Sequence, residues 1–269
     1  MKLLNGKELA EFIKERQLHQ VRGLTQAKSV TPRLAIIVTV DNPVIAVYVR
    51  LKQRYGQDIG VTVDVHRIEQ SQVAQTVARL NADDSIHGII VQLPLADPAE
   101  TDEVVAMVAP AKDVDGLHPD TPFAPATPMA IMWLLAGYNV DLTGKNVLLV
   151  GRGKLVGAPL ERMLATSGIA VSVADRETVD LAQATLQADV IITATGSPAI
   201  LYPDMIKQGA VVVDAGVASE DGKTVGDVAP EVYERDDLTI SAVKGGVGPL
   251  TVCALFDNVI RAARGTAQG

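Results

Sequence analysis

Aromatic side chains are nearly absent from this chain, with three phenylalanines, five tyrosines and one tryptophan among 269 residues. Its cores must therefore rest on Val, Leu, Ile and Ala, and it lacks the stacking surfaces that hold single-stranded nucleic acid. Sulfur is equally scarce. The single cysteine, Cys253, excludes an internal disulfide and any multi-cysteine metal site, and fits a reducing compartment. The four histidines, His19, His66, His87 and His118, show no metal-ligand spacing, so no metal is expected. Basic residues number 24 against 32 acidic ones, for a net charge of −8, and form no block. Nucleic acid and anionic membrane are thus poor candidate partners. No run approaches the ~20 apolar residues of a membrane span. The opening Met-Lys-Leu-Leu-Asn-Gly-Lys-Glu8 holds no apolar stretch of signal-peptide length. The cytoplasm is the expected location.

What remains is a globular composition, 48% apolar and 21% charged, in a chain long enough for one large domain or two modest ones. Residues 3–28 read as a helix. Strands are expected at Arg33 to Val40, Val61 to Val65 and His87 to Gln92, with helices from Val44 to about Ile59 and from Ser71 to Asn81, the latter capped by Ser71. Alternating strands and helices predict a first α/β lobe. The proline-rich stretch His118-Pro-Asp-Thr-Pro-Phe-Ala-Pro-Ala-Thr-Pro128 reads as an extended bridge, with Thr127-Pro128 starting a connecting helix from Met129.

The most informative stretch is Val147-Leu-Leu-Val-Gly-Arg-Gly-Lys-Leu-Val-Gly-Ala-Pro159. A buried-strand run empties into Gly151, Gly153 and Gly157, and a helical pattern follows. In a dinucleotide-binding crossover the first glycine turns the chain, the second lets backbone approach a pyrophosphate, and the third packs helix on strand. The spacing G-x-G-x-x-x-G is one residue longer than the usual fingerprint, so a plain strand-turn-helix remains the alternative. Context favours the nucleotide. The next strand, Ile169 to Ala174, ends in Asp175, where a carboxylate accepts hydrogen bonds from both adenine-ribose hydroxyls. Two further β-branched runs, Asp189 to Gly196 and Ala210 to Gly216, end in small residues, as buried parallel strands do. The expected architecture is therefore α/β, two lobes around a cleft, the second a Rossmann-like doubly wound parallel sheet. Residues 1–125 form the first domain with helix 250–269 packing back on it, and 126–249 carry the linker helix and nucleotide domain.

Tyr48 and Lys52, four apart on a predicted helix, share a face. A partly desolvated lysine has a lowered pKa and can shuttle protons; an exposed Tyr–Lys pair is the plainer alternative. Gln92 ends a buried strand, where ligand-facing side chains gather. Lys112-Asp-Val-Asp-Gly116 places two carboxylates in a turn that has an easy structural reading. Lys244-Gly-Gly-Val-Gly-Pro249 is a backbone-rich loop suited either to a flat ligand or to a simple turn.

The ordered set Tyr48-Val-x-x-Lys52, Val91-Gln-Leu-Pro-Leu95, Lys112-Asp-Val-Asp-Gly-Leu-His-Pro119, Ala126-Thr-Pro128, Val150-Gly-Arg-x-x-x-Val-Gly-x-Pro159, Gly226-Asp-Val228 and Gly245-Gly-Val-Gly-Pro249 resembles the bifunctional methylenetetrahydrofolate dehydrogenase/methenyltetrahydrofolate cyclohydrolase family. The resemblance implies oxidation of 5,10-methylenetetrahydrofolate with a nicotinamide cofactor, then hydrolysis to 10-formyltetrahydrofolate, in a homodimer. It implies Lys52 as the catalytic lysine, Tyr48 over the folate, Gln92 holding the lysine and Asp115 on the pterin edge, with Leu93, Gly245, Gly246 and Pro249 bordering the substrate. Gly151, Arg152, Gly153, Val156, Gly157, Asp175, Arg176, Thr195, Gly196 and Val217 are the implied cofactor contacts.

The chain departs from that pattern at several places. Val44-Ile-Ala-Val47 stands where serines are usual, Ala126 where a cysteine is, and Ala130 where a glycine is. The segment after His118-Pro119 is shortened, and Ala242 and Lys244 replace prolines. A monofunctional enzyme and a non-catalytic folate- or nucleotide-binding paralogue are accordingly the alternatives, with an unrelated shikimate-like dehydrogenase behind them. Relatives that use NADP carry a serine where Asp175 stands and another where Gly153 stands. A carboxylate there repels a 2′-phosphate and favours NAD, although Arg152 and Arg176 can still neutralise one.

Overall fold

The computed structural model describes residues 1–220 and 223–266. In chain order the elements are β1 (Lys2–Leu4), α1 (Gly6–Lys28), β2 (Arg33–Val38), α2 (Pro43–Ile59), β3 (Thr62–Arg67), α3 (Val73–Ala82), β4 (Gly88–Val91) and α4 (Thr101–Ala106). They continue with α5 (Ala126–Gly137), β5 (Val147–Val150), α6 (Gly157–Thr166), β6 (Val171–Ala174), α7 (Leu181–Gln187), β7 (Val190–Thr193), β8 (Val211–Asp214), β9 (Ala218–Glu220), β10 (Lys223–Val225), β11 (Thr239–Ser241) and α8 (Val247–Thr266). Residues 267–269 of the expected last helix lie outside the described residues. The chain divides into two compact units, one of Glu11–Ala126 with α8 from Val252, the other of Met1–Ala10 with Thr127–Thr251.

The first unit carries a three-stranded parallel sheet in the order β3-β2-β4. Both β2 and β4 are buried along almost their whole length, which is why they read as continuous apolar runs rather than alternating ones. Ala35, Ile37, Ile89 and Val91 pack with Val73, Val77 and Leu80 of α3 on one face. The α3 start differs from expectation. A 3-10 turn, Gln70–Gln72, precedes it, with a reciprocal capping box between Glu69 and Gln72, and Ser71 caps nothing. From α8, the buried Asn258 donates to the carbonyls of Val114 and Ala124, both at 2.9 Å. The proline-rich stretch is not extended. Thr121 donates from its backbone to His118 and from its hydroxyl to the Asp113 carbonyl, each at 3.1 Å, folding the segment back. Helix α5 then begins at Ala126, so Thr127 lies inside it rather than flanking it.

The second unit carries a six-stranded, wholly parallel sheet in the order β1-β11-β8-β7-β5-β6. Chain order reverses at β5, with β6 on one side and β7 on the other, which opens a crevice beyond the carboxyl end of β5. The first residues, expected to be helical, form β1 instead: Leu4 is fully buried and Lys2 donates its backbone N–H to Leu238 at 2.8 Å. Pairing with β11 overrides local preference, and it places residues 1–10 in this unit rather than with residues 11–125.

Candidate active site

Helix α2 is set by its ends. Asn42 accepts from the N–H of Val44 at 2.8 Å, Pro43 occupies the first turn, and Gly60 closes the helix in the left-handed conformation. Its buried residues Ile45, Val49, Gly56 and Ile59 recur every three to seven positions, and a Cβ at Gly56 would collide with Val63 of β3. Lys52, half-buried, continues that same face between Val49 and Gly56, and Tyr48, exposed, lies at its edge one turn before it. Lys52 Nζ donates to Gln92 Oε1 at 2.7 Å. Gln92 is held twice over, its backbone N–H continuing the sheet to Ile37 at 2.9 Å and its amide NH2 donating to Leu93 at 3.1 Å. That leaves the amide oxygen facing the lysine. Leu93 packs against the hydrophobic cluster of β2, β4 and α3.

The two carboxylates of the acidic turn have different duties. Asp113 is buried and accepts from the His118 N–H at 2.8 Å, organising the turn. Lys112 reaches away to the carbonyls of Leu80, Asn81 and Asp83 at 3.1, 2.9 and 2.7 Å, fastening the turn to the end of α3. Asp115 remains for Lys52. Burial lowers the lysine pKa below its ordinary value, and the Asp115 charge opposes that fall. Burial likewise raises the Asp115 pKa, with Lys52 pulling it down and Asp113 pushing it up. A half-desolvated amine, fixed by an amide and under the charge of a carboxylate, is suited to accept and return a proton.

In the other unit the glycine loop follows β5. Gly151 has φ 97, and a Cβ there would lie 2.8 Å from the Ala194 carbonyl, so no other residue makes this turn without strain. A Cβ on Gly157 would collide with the Gly151 carbonyl, while one on Gly153 would meet nothing within 4 Å. Thus Gly151 and Gly157 serve the fold, and Gly153 borders open space. Val156 precedes α6 and has no side-chain oxygen to cap it. The Ala158 N–H donates to the Gly153 carbonyl at 3.0 Å and Pro159 has no N–H, so the first-turn amide that can face an anion is that of Gly157. Asp175 follows β6, exposed, with its Oδ1 accepting the Glu177 N–H at 3.0 Å. Arg176 and Val217 are exposed, Arg152 is paired with Glu161 at 2.6 Å, and Gly196 has φ 66.

Two aspartates absent from the expected site hold this crevice together. Asp214, at the end of β8, accepts from the Thr193 hydroxyl at 3.2 Å and from the N–H groups of Gly216, Asp227 and Val228 at 2.9, 3.1 and 3.1 Å. Burial raises its pKa against the three backbone bonds, and the Asp227 charge adds to the rise. Asp227, fully buried, accepts from the N–H groups of Thr195 at 2.7 Å and Ser197 at 3.1 Å. A Cβ at Gly216 or Gly226 would strike one of these carboxylates. The signal was the pairing of Asp214-Ala-Gly216 with Gly226-Asp227, two acid–glycine turns whose partnership only the fold reveals. The loop at Gly245 and Gly246 also has a packing reason: Lys7 donates its N–H to the Gly245 carbonyl at 2.8 Å, and Gly6 lies against Gly246. Lys244 is exposed, and Pro249 lies in the first turn of α8.

A glycine turn at a topological switch point with a carboxylate after the second strand in one unit, and a desolvated lysine in the other, define the class: an α/β protein suited to a dinucleotide and to proton transfer. The comparisons narrow that class. Residues 4–115 match "Tetrahydrofolate dehydrogenase/cyclohydrolase, catalytic domain", and residues 125–267 match "Tetrahydrofolate dehydrogenase/cyclohydrolase, NAD(P)-binding domain". The chain belongs to this family. It is 37% identical over 283 residues to the bifunctional protein FolD of Nautilia profundicola, spanning 100% of this chain and 99% of that one. The crystal structure of the bifunctional FolD methylenetetrahydrofolate dehydrogenase/cyclohydrolase of Campylobacter jejuni matches with a TM-score of 0.92 at 38% identity, covering 98% of this chain and 99% of that one. The Trypanosoma brucei N5,N10-methylenetetrahydrofolate dehydrogenase-cyclohydrolase, complexed with NADP and an inhibitor, matches with a TM-score of 0.92 at 29% identity, covering 99% and 98%. The shikimate-like reading falls away.

Proposed function

We propose that this chain oxidises 5,10-methylenetetrahydrofolate with a nicotinamide nucleotide and hydrolyses the methenyl product to 10-formyltetrahydrofolate. The observation that carries the reading is the Lys52–Gln92 contact of 2.7 Å beside Asp115, in a chain matched to bifunctional relatives from end to end. Lys52 Nζ, whose pKa burial lowers, takes a proton in its neutral form from the water that adds to the methenyl carbon. It then returns a proton to the ring nitrogen released when the carbon–nitrogen bond opens. Gln92 fixes Nζ in place, and Asp115 accepts hydrogen bonds from donors on the pterin edge, a charge-assisted contact. Tyr48 covers the folate, with Leu93, Gly245, Gly246 and Pro249 as further border residues.

The turn at Gly151, the open space at Gly153 and the uncapped start of α6 fit a pyrophosphate. Val156, Gly157, Thr195, Gly196 and Val217 complete that cradle. A nicotinamide nucleotide held by these residues would supply the hydride acceptor for the methylene carbon. NAD is the cofactor favoured, because the Asp175 carboxylate welcomes a 2′-hydroxyl and repels a 2′-phosphate. Purified protein given 5,10-methylenetetrahydrofolate should turn over faster with NAD than with NADP and accumulate little methenyl product. Lys52→Ala should abolish hydrolysis and leave nucleotide binding intact. Turnover with neither cofactor would refute the assignment and favour a binding paralogue.

A further inference from the structure

Arg152 follows the first glycine of the nucleotide loop, and it is already engaged. Its Nε donates to Glu161 Oε2 at 2.6 Å and its Nη2 to Oε1 at 3.4 Å, so one edge of the guanidinium is taken by both carboxylate oxygens. Glu161 projects from the first turns of α6, and roughly a quarter of its side chain is exposed (26%) against 59% for Arg152. Asp175 lies close enough to add its own pull on the same guanidinium. The backbones are adjacent, since Gly151 donates its N–H to the Ala174 carbonyl at 2.8 Å. Arg152 therefore stands between two carboxylates, and the three side chains sum to one negative charge.

A ribose 2′-hydroxyl asks nothing of this arginine and finds its acceptor in Asp175. A 2′-phosphate brings between one and two further negative charges and must take Arg152 away from Glu161 to be neutralised. On the reading of the nucleotide site given above, we infer that Glu161 is a specificity-determining residue: by holding Arg152 it withdraws the cation of the glycine loop from a 2′-phosphate and disfavours NADP. Asp175 and Glu161 act on different aspects of the same choice. Asp175 supplies the repulsion and the hydroxyl acceptor. Glu161 removes the compensation that Arg152 would otherwise provide.

The test is calorimetric titration of the full-length protein with NAD and with NADP, for wild type, Glu161→Gln, and Glu161→Gln combined with Arg152→Gln. Glutamine keeps the size of the side chain and the surface position, and circular dichroism checks that each variant is folded. The single variant should bind NADP about fivefold more tightly while NAD changes less than about twofold, the scale expected of one partly exposed charge pair. Adding Arg152→Gln should erase that gain. Unchanged NADP affinity in Glu161→Gln with NAD still bound would overturn this inference alone, as would a gain that survives loss of Arg152. Folded wild-type protein that binds neither nucleotide would overturn the nucleotide-site reading and this inference with it.

Discussion

The contact between Lys52 and Gln92 makes the sharpest prediction. Replacing Gln92 with alanine removes the acceptor 2.7 Å from Nζ. A hydrogen bond to a charged group contributes about 1.5–3 kcal/mol. Lys52 is half-buried, so water replaces part of the loss, and the lower end applies. At about 1.4 kcal/mol per tenfold, hydrolysis of the methenyl substrate, followed by loss of its absorbance, should slow by about tenfold. Nucleotide affinity should hold, because the glycine loop belongs to the other unit. Gln92→Glu separates position from charge. A carboxylate in the same place stabilises the ammonium, so the neutral amine appears only at higher pH, and activity lost near neutrality should recover as pH rises. Asp115→Asn should do the reverse. Burial already lowers the Lys52 pKa and Asp115 resists the fall, so without that charge the acidic limb of the pH–rate profile moves to lower pH. Hydrolysis within twofold of wild type in Gln92→Ala, or acidic limbs that shift the same way in Gln92→Glu and Asp115→Asn, would refute the reasoning.

Further outcomes follow from the rest of the structure. Gly157→Ala pushes a Cβ onto the Gly151 carbonyl and should cost about 1–3 kcal/mol of stability in denaturant unfolding. Gly153→Ala, which meets nothing within 4 Å, should unfold like wild type yet weaken nucleotide binding, because its methyl group occupies the space proposed for the pyrophosphate. Arg235 holds the Asp237 pKa down to about 2 from 3.8. Its stabilising effect is therefore present above 3.8 and lost as pH falls towards about 2, so the melting-temperature gap between wild type and Asp237→Asn should close over that interval. The homodimer that the family resemblance implies should sediment at twice the chain mass of 28.4 kDa; a monomer would exclude it.

The glycine loop was legible because its chemistry is local. A strand, a turn and a helix lie within thirteen residues, and the same short stretch specifies both fold and ligand. Lys52 and Gln92 were separately suspect, one by its place on a helix face and the other at a strand end. Their contact was implied by the family resemblance and not by local pattern, since forty residues separate them and the parallel pairing of β2 with β4, with α2 packed on β3, brings them together. The acidic turn shows the same boundary. Two aspartates were visible, but which one organises the turn and which faces the lysine depended on the path of residues 116–121.

Local pattern by itself determined the alternation of strands and helices, the doubly wound sheet, the glycine turn after β5 and the place of Asp175 at the end of β6, because strand and helix periodicity and turn chemistry act over a few residues. Tertiary structure alone decided that residues 2–4 join β11 as an edge strand, that Asp214 holds the loop of Asp227, and that Asp227 holds the loop after β7. It also decided that Gly245 and Gly246 accommodate the chain at Gly6, and that Arg152 is claimed by Glu161. Each of these is a pairing between groups that lie apart in sequence, and no periodicity records which partner a donor or a carboxylate will meet once the chain has folded.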